Sequence, residues 1–383
     1  MRIKNLIRNL SLKLSVLLIV GVPMAYSAET ITVGVALRFG PEVNSSVEAL
    51  YQGIEFATSS FNRSQGALHV ELKKYSYTAD SKSIEAAAKK IKKDGIRYVI
   101  GGEMSDEAFT LLEQFKNSNI LFMTPTASNP RITDGQPLAF RMNFSDDQVA
   151  LRLAHYVSEI KDLGAIGVLH NTANSYSDYL TLEFLKQLGK EKNVMPETVE
   201  FSYATEHPDF QTAVKKFKDR KVSWVISFVM VSELEAFYAQ AAKESFFPKY
   251  LGTDGWGSNE LAFEKLVQAQ KIKKFDGVHA IYWQKESKTQ ANLKFLEQFG
   301  REYNHAPDSS SAIAYDTGSV LYQALTLSKN RSDPKEVAQI LSTHAFTELL
   351  TSPNLKFDAH HAPIKELFLY EVNSKGLKFI GAK

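Results

Sequence analysis

Asp94-Gly95-Ile96-Arg97-Tyr98-Val99-Ile100-Gly101-Gly102 opens the stretch on which the reading of this chain turns. Tyr98-Val99-Ile100 is a short apolar strand that runs into paired glycines. After the loop Glu103-Met104, Ser105-Asp106-Glu107 starts an amphipathic helix carrying Phe109, Leu111, Leu112 and Phe115. A second strand, Asn119 to Met123, ends at Thr124-Pro125-Thr126-Ala127-Ser128-Asn129-Pro130. In a parallel sheet, strand, loop, helix, strand, loop sets both loops on one edge, beyond the carboxyl ends of the strands, where α/β sheets hold small ligands. The stretch predicts half of a ligand site.

The same order recurs downstream. Val222 to Ile226 is an apolar strand, Ser232-Glu233 starts a helix carrying Leu234, Phe237, Tyr238 and Ala241, and Lys249-Tyr250-Leu251 runs into Gly252-Thr253-Asp254-Gly255-Trp256-Gly257. Two similar lobes facing a shared cleft would produce this weak repetition, although any two βαβ units also look alike.

Around these two stretches the periodicity stays regular. Upstream come a strand from Glu29 to Leu37, a helix from Val47 to Phe61 ended by Gln65-Gly66, a strand from Leu68 to Tyr77 and a helix from Ile84 to Lys93. A second βα series follows Phe140-Arg141-Met142-Asn143-Phe144-Ser145, which reads as a crossing segment. Helices are expected at Gln290 to Tyr303, Ser309 to Ser328 and Asp333 to Ser342, and late strands at Asn354 to Phe357, Lys365 to Tyr370 and Leu377 to Ile380. The fold class is α/β: two doubly wound parallel-sheet lobes joined by a multi-strand hinge. The expected division is 28–143 with 283–352, and 144–282 with 353–383. The chain crosses near Phe144, Ile281 and Leu355, an arrangement that suits cleft closure.

Residues 1–27 read as a leader. Arg2, Lys4, Arg8 and Lys13 lie among no acids, Leu14 to Val22 is apolar but short for a bilayer, and Ala25-Tyr26-Ser27 supplies small residues for cleavage before Ala28. Cleavage removes four of the 45 basic residues and none of the 43 acids, leaving 41 against 43 and a net charge near −2. That balance points to neither a nucleic-acid nor an anionic-membrane partner. With no cysteine there is no disulfide, no thiol nucleophile and no lipid anchor through cysteine. The expected location is the periplasm, in solution after leader cleavage.

Catalysis finds little support. The first strand is followed by Arg38-Phe39-Gly40-Pro41 rather than a dinucleotide fingerprint. A phosphate loop, a Gly-x-Ser-x-Gly elbow and His-Glu-x-x-His are absent from the sequence. His360-His361 are adjacent and do not share one face of an element. No enzyme activity, cofactor or metal is expected.

Several of these residues resemble the type I periplasmic solute-binding proteins, nearest to the leucine/isoleucine/valine-binding components of ABC importers. The resemblance covers nearly the whole mature chain. It rests on Asp94 to Gly101, Thr124 to Pro130, Gly40-Pro41, Tyr176, Gly252-Thr253-Asp254-Gly255 and Ala314-Tyr315-Asp316. It implies that Ser105, Ala127 and Ser128 hold the charged groups of an amino acid, that Asp254 pairs with its ammonium, and that Tyr176 closes over it from the second lobe. A helix start attracts a carboxylate, and a desolvated carboxylate bonds strongly to an ammonium.

Each candidate also has a plain structural role. Ser105 is a good helix cap, Asp106 complements a helix dipole, and Asp254 among glycines suits a turn. Arg38 offers a bidentate grip on a carboxylate or is a surface arginine. Met230 and Trp256 belong to core or cleft. Departures from the family pattern leave room for a larger, more polar or cationic solute: acids follow Ser105, Arg38-Phe39 replaces small residues, and Met230-Val231 stands where an aromatic wall is expected. The implied function is capture of a small polar solute, an amino acid or related compound, for an inner-membrane ABC permease. The alternative is a sensory protein that presents its solute to a membrane receptor. A monomer is expected.

Overall fold

The computed structural model describes residues 29–40, 45–64, 68–191, 196–205, 208–256 and 274–382. The expected leader and its cleavage point, Pro41, Gln65-Gly66 and Gly257 lie outside the described residues.

Five strands make the first sheet: β1 (Glu29–Leu37), β2 (Leu68–Ser76), β3 (Tyr98–Gly101), β4 (Leu121–Thr124) and β5 (Ala139–Arg141), ordered β2-β1-β3-β4-β5 and all parallel. Their apolar residues are covered on both faces, as parallel sheets require; Val33, Val35, Val99, Ile100 and Phe122 are fully buried. Helices α1 (Ser45–Ser64), α2 (Ser81–Lys93) and α3 (Ser105–Phe115) connect the first four strands. The segment at Phe140, expected only to cross, first adds a fifth strand: Phe140 pairs with Met123 and Arg141 with Thr124.

The second sheet carries β6 (Ala165–Asn171), β7 (Thr198–Tyr203), β8 (Val222–Ser227), β9 (Lys249–Gly252) and β10 (Asp276–Ile281), parallel throughout. Helices α4 (Asp146–Ser158), α5 (Ser175–Leu188), α6 (Phe210–Asp219) and α7 (Val231–Lys243) flank it. The chain then returns. In α8 (Gln290–Tyr303), Phe295 and Phe299 stack edge-on against Phe56 of α1 at 5.8 and 5.6 Å. Helix α9 (Ser309–Leu327) lies along α1. The two backbones approach at Gly53, where a Cβ would stand 2.3 Å from the Ser311 carbonyl oxygen, so only glycine fits. Helix α10 (Pro334–Thr343) follows, its start capped by the Asp333 side chain.

The end of the chain corrects the sequence reading. Asn354-Leu355 (β12) does not leave the first lobe; it pairs with Phe346-Thr347 (β11). The chain next runs beside β5, where the Arg141 amide donates to the His361 carbonyl at 3.1 Å and the His361 ring stacks on Phe140 at 4.2 Å. Only then does it cross, to β13 (Phe368–Asn373) and β14 (Gly376–Ala382), antiparallel strands completing the order β14-β13-β10-β9-β8-β6-β7. The third crossing is thus at Lys365, not Leu355, and Lys365 does not begin a strand.

The three crossings meet. Phe144 from the first and Tyr282 from the second place their rings 6.4 Å apart, and the buried Lys365 ammonium from the third sits 5.2 and 5.5 Å from their centroids. Its Nζ lies 3.4 Å from Thr351 Oγ1, and the same hydroxyl donates to Asp316 at 2.7 Å. Burial pushes the Lys365 pKa down, while Asp316 and then Asp254 pull it up. Burial likewise raises the Asp316 carboxyl, against three backbone bonds from Leu350 and Thr351 and the Thr351 hydroxyl.

Candidate functional site

The carboxyl ends of both sheets face each other across a cavity of about 500 Å³. Arg38, Ser46 and Ala79 line it from the first lobe, with residues 103–107 and Thr126, Ala127 and Ser128. The second lobe supplies Asn174, Tyr176, residues 230–232, Asp254 and Gly255, and Tyr282 enters from a crossing. Of the residues expected in the site, Arg38, Ser105, Asp106, Ala127, Ser128, Tyr176, Met230 and Asp254 come together on this one surface.

Trp256 does not. It is 0% exposed, its indole stacks near His279 at 5.6 Å and meets Phe275 edge-on, and Nε1 donates to the Ser227 carbonyl at 2.7 Å. A Cβ on Gly252 would lie 2.0 Å from the indole. Trp256 therefore belongs to the core under the loop rather than to the cleft. Of the two roles open to it in sequence, core or cleft, it takes the core, filling the space that Gly252 leaves.

Asp254 occupies a single 3-10 turn, residues Asp254–Trp256, at the end of β9. Asn143 Nδ2 donates to its Oδ2 at 2.7 Å, and Tyr176 Oη approaches Oδ1 at 3.5 Å while also bonding Thr253 Oγ1. Burial raises the Asp254 pKa, and the Asn143, Thr253 and Tyr176 donors hold it down. A cationic group brought beside it would restore full ionisation.

On the first lobe, Met104 rather than Ser105 is the helix cap, in extended conformation with φ −99° and ψ 152°. The reason is Glu107, whose carboxylate reaches back to the Met104 amide at 3.4 Å. Ser105 is freed to face the loop of Ala127 and Ser128, and its hydroxyl accepts from the Asn129 amide at 3.4 Å. Arg38 lies between two acids, with Nη2 3.2 Å from Glu103 Oε2 and Nε 2.8 Å from Glu107 Oε1. Tyr77 Oη also donates to Glu107 at 2.9 Å. Burial lifts the Glu107 carboxyl to about 7, Arg38 opposing and Glu103 adding to the rise.

Asp106 stands at the rim, exposed, and ties the lobes together. Its Oδ2 accepts from the Ser175 amide across the cleft at 3.4 Å, and Asn129 Nδ2 donates to the Ser175 carbonyl at 3.1 Å. The Asn174 side chain caps the next two amides of α5. One lobe thus completes the capping of a helix in the other.

Sequence reasoning missed Glu103, Glu107, Asn143 and Tyr282. Asn143 and Tyr282 gave no periodic signal because each sits in a crossing. Glu107 was visible only as a helix-start acid. Also missed was Asp146, first residue of α4 and 1% exposed. Ser128 lies close enough to lower its pKa, yet no hydrogen bond of normal geometry reaches either carboxylate oxygen among the described residues. Burial, with Asp254 nearby, drives the Asp146 carboxyl from an ordinary 3.8 to about 8. A carboxyl raised on folding binds a proton that the unfolded chain has released, so its contribution to stability falls as pH rises from 4 to 8. Each pKa unit is worth about 1.4 kcal/mol. Asp146→Asn is therefore expected to stabilise the protein by at least ~1 kcal/mol at pH 8, with the gain fading toward pH 4. A thermal-melting difference that is flat across that range would disprove the burial account.

Two parallel-sheet lobes, three crossings and a cavity between facing sheet edges define a two-lobed binding-protein fold. The profile of the family described as periplasmic binding protein matches residues 30–377, and the chain belongs to that family. A relative in Pseudomonas aeruginosa, the leucine-, isoleucine-, valine-, threonine-, and alanine-binding protein, is 23% identical over 336 residues, covering 87% of each chain. The Escherichia coli K12 Leu/Ile/Val-binding protein is 26% identical over 329 residues, 83% of this chain and 84% of its own. Among solved structures, the Thermotoga maritima leucine-binding protein LivK superposes with a TM-score of 0.80 at 17% identity, over 92% of this chain and 98% of its own.

Proposed function

We propose that this chain is a periplasmic receptor that captures a small polar solute, an amino acid or a related compound, between its lobes and presents it to an inner-membrane ABC permease. One observation carries the reading: the half-buried Asp254 carboxylate, held by Asn143 and Tyr176, shares a cavity with the first turn of α3 and the Ala127-Ser128 loop. An acid and a helix start in one cavity suit the two charges of an amino acid. The amino acids named for the Pseudomonas and Escherichia relatives support that class of solute. The work this site performs is binding and release, which closure about the three crossings provides.

Native mass spectrometry of protein purified from periplasm tests the reading first, by showing a retained solute of amino-acid size. Small-angle scattering with that solute should then show compaction. An unchanged radius of gyration at saturation would refute closure. Because Asp106 caps Ser175 across the cleft, Asp106→Asn is expected to favour the open form by ~0.3–1 kcal/mol, the worth of an acid at a helix start. Affinity then falls about two- to fivefold. A loss as large as that of a buried anchor would move Asp106 from the rim into the binding surface.

A further inference from the structure

We propose that the cleft takes a solute with a positive charge at each end, a basic amino acid or a diamine, and that Glu103 and Glu107 select the far charge. The proposal rests on the solute-capture reading and narrows it. Among the described lining residues, the carboxylates are Glu103, Asp106, Glu107 and Asp254, and the only cation is Arg38. Arg38 is already committed, at 3.2 Å to Glu103 and 2.8 Å to Glu107. Arg38 balances one of the two glutamates; a cation brought to this wall would draw the raised Glu107 carboxyl into its ionised form and pair with the second charge. Both acids are buried, so water screens that charge poorly. An aliphatic side chain laid here would displace that water and return no bond. A guanidinium or ammonium would complete the charge. An acidic solute would meet repulsion from both glutamates unless Arg38 abandoned them.

The anchor end is also rich in acid. Behind Asp254 lies Asp146, fully buried, with neither oxygen in a hydrogen bond of normal geometry among the described residues; burial favours its protonated form at neutral pH, so the charge at this end is Asp254's. The charged groups acting on the pair are Arg141, Asp147 and, from the hinge, Lys365. Arg141 is engaged by the Ser128 carbonyl at 2.6 Å and by Thr133 Oγ1 at 3.2 Å.

The sheet sets the distance between the two ends. Arg38 follows β1, Glu103 follows β3, and Asp254 is held by Asn143 just past β5, in the spatial order β1-β3-β4-β5. Two to three strand spacings separate anchor and cluster, ~10–14 Å. Subtracting a charge-assisted contact of about 2.8 Å at each end leaves ~4–8 Å between the solute's charges. A four- or five-atom chain spans that.

Titration calorimetry on the mature protein with L-arginine, putrescine, L-leucine and L-glutamate tests the assignment. L-Arginine or putrescine should bind at least about tenfold tighter than L-leucine, with L-glutamate weakest. Glu103→Gln should lower the affinity for the better dication about tenfold or more, the order expected for a buried charge pair, and leave L-leucine within about twofold. Arg38→Gln, which keeps both acids, should widen the preference for the dication, and keeps the idea testable if Glu103→Gln folds poorly. Preference for L-leucine or L-glutamate, or an equal loss for all probes in Glu103→Gln, overturns the proposal but leaves solute capture standing. So does a retained solute without a second cation. If no probe binds and native mass spectrometry finds no retained solute, capture itself fails.

Discussion

Asp254→Asn should weaken solute binding by roughly two orders of magnitude or more. Asp254 is half-buried at the cavity wall and already accepts from Asn143 and Tyr176. The substitution keeps that shape and those neighbours but removes the charge. A ligand ammonium would then sit desolvated beside a neutral amide. Leaving one member of a buried, hydrogen-bonded charge pair alone costs ~2–5 kcal/mol, at 1.4 kcal/mol per tenfold. Calorimetry with the solute found by native mass spectrometry reads the loss. Folding should be unharmed, since burial works against the Asp254 charge in the empty protein; a raised melting temperature with lost affinity is the expected signature. Unchanged affinity would mean that the amino-acid pattern does not carry to this cleft.

Trp256→Ala should be among the most destabilising single changes in the second lobe. The indole is fully enclosed by Phe275, His279 and the bare face of Gly252, and its Nε1 satisfies the Ser227 carbonyl. Truncating a buried aromatic costs ~3–5 kcal/mol. For lobes of this size each kcal/mol lowers the melting temperature by ~2–4 °C, so a fall of roughly 10 °C is expected. Trp256→Phe should lose less, mainly through the orphaned carbonyl. A melting temperature that barely moves while affinity collapses would put Trp256 back in the cleft.

How far the sequence could be read depended on periodicity. Strands such as Tyr98-Val99-Ile100 and helices such as Ser309 to Leu327 announce themselves by apolar spacing, and the placing of Ser105, Ala127, Ser128, Tyr176 and Asp254 on one surface follows from strand-end logic plus the family resemblance. What could not be read lies where one residue serves two elements. Phe140 both pairs with β4 and leads into a crossing. Lys365 looked like the start of a strand because apolar residues follow it, but its ammonium is fixed by aromatic rings from two other crossings. Glu103 and Glu107 were hidden for another reason: their meaning comes from Arg38, 65 residues away from Glu103, and no local pattern announces such a pairing. Trp256 misled because Gly252, four positions earlier, makes room that only coordinates reveal.

The charged cluster and the anchor belong to different bodies. Arg38, Glu103 and Glu107 are fixed to the first sheet, whereas Asp254 rides on the second, pinned by Trp256 into its core. Under the proposed roles, selection of the distal group and the clasp can therefore be altered by substitution one at a time. Three positions on one lobe can drift, exchanging charge for apolar surface or reversing its sign, without disturbing the other lobe's grip. On the proposed reading, a few substitutions on one lobe would refit this scaffold to a different solute while its clasp stays the same.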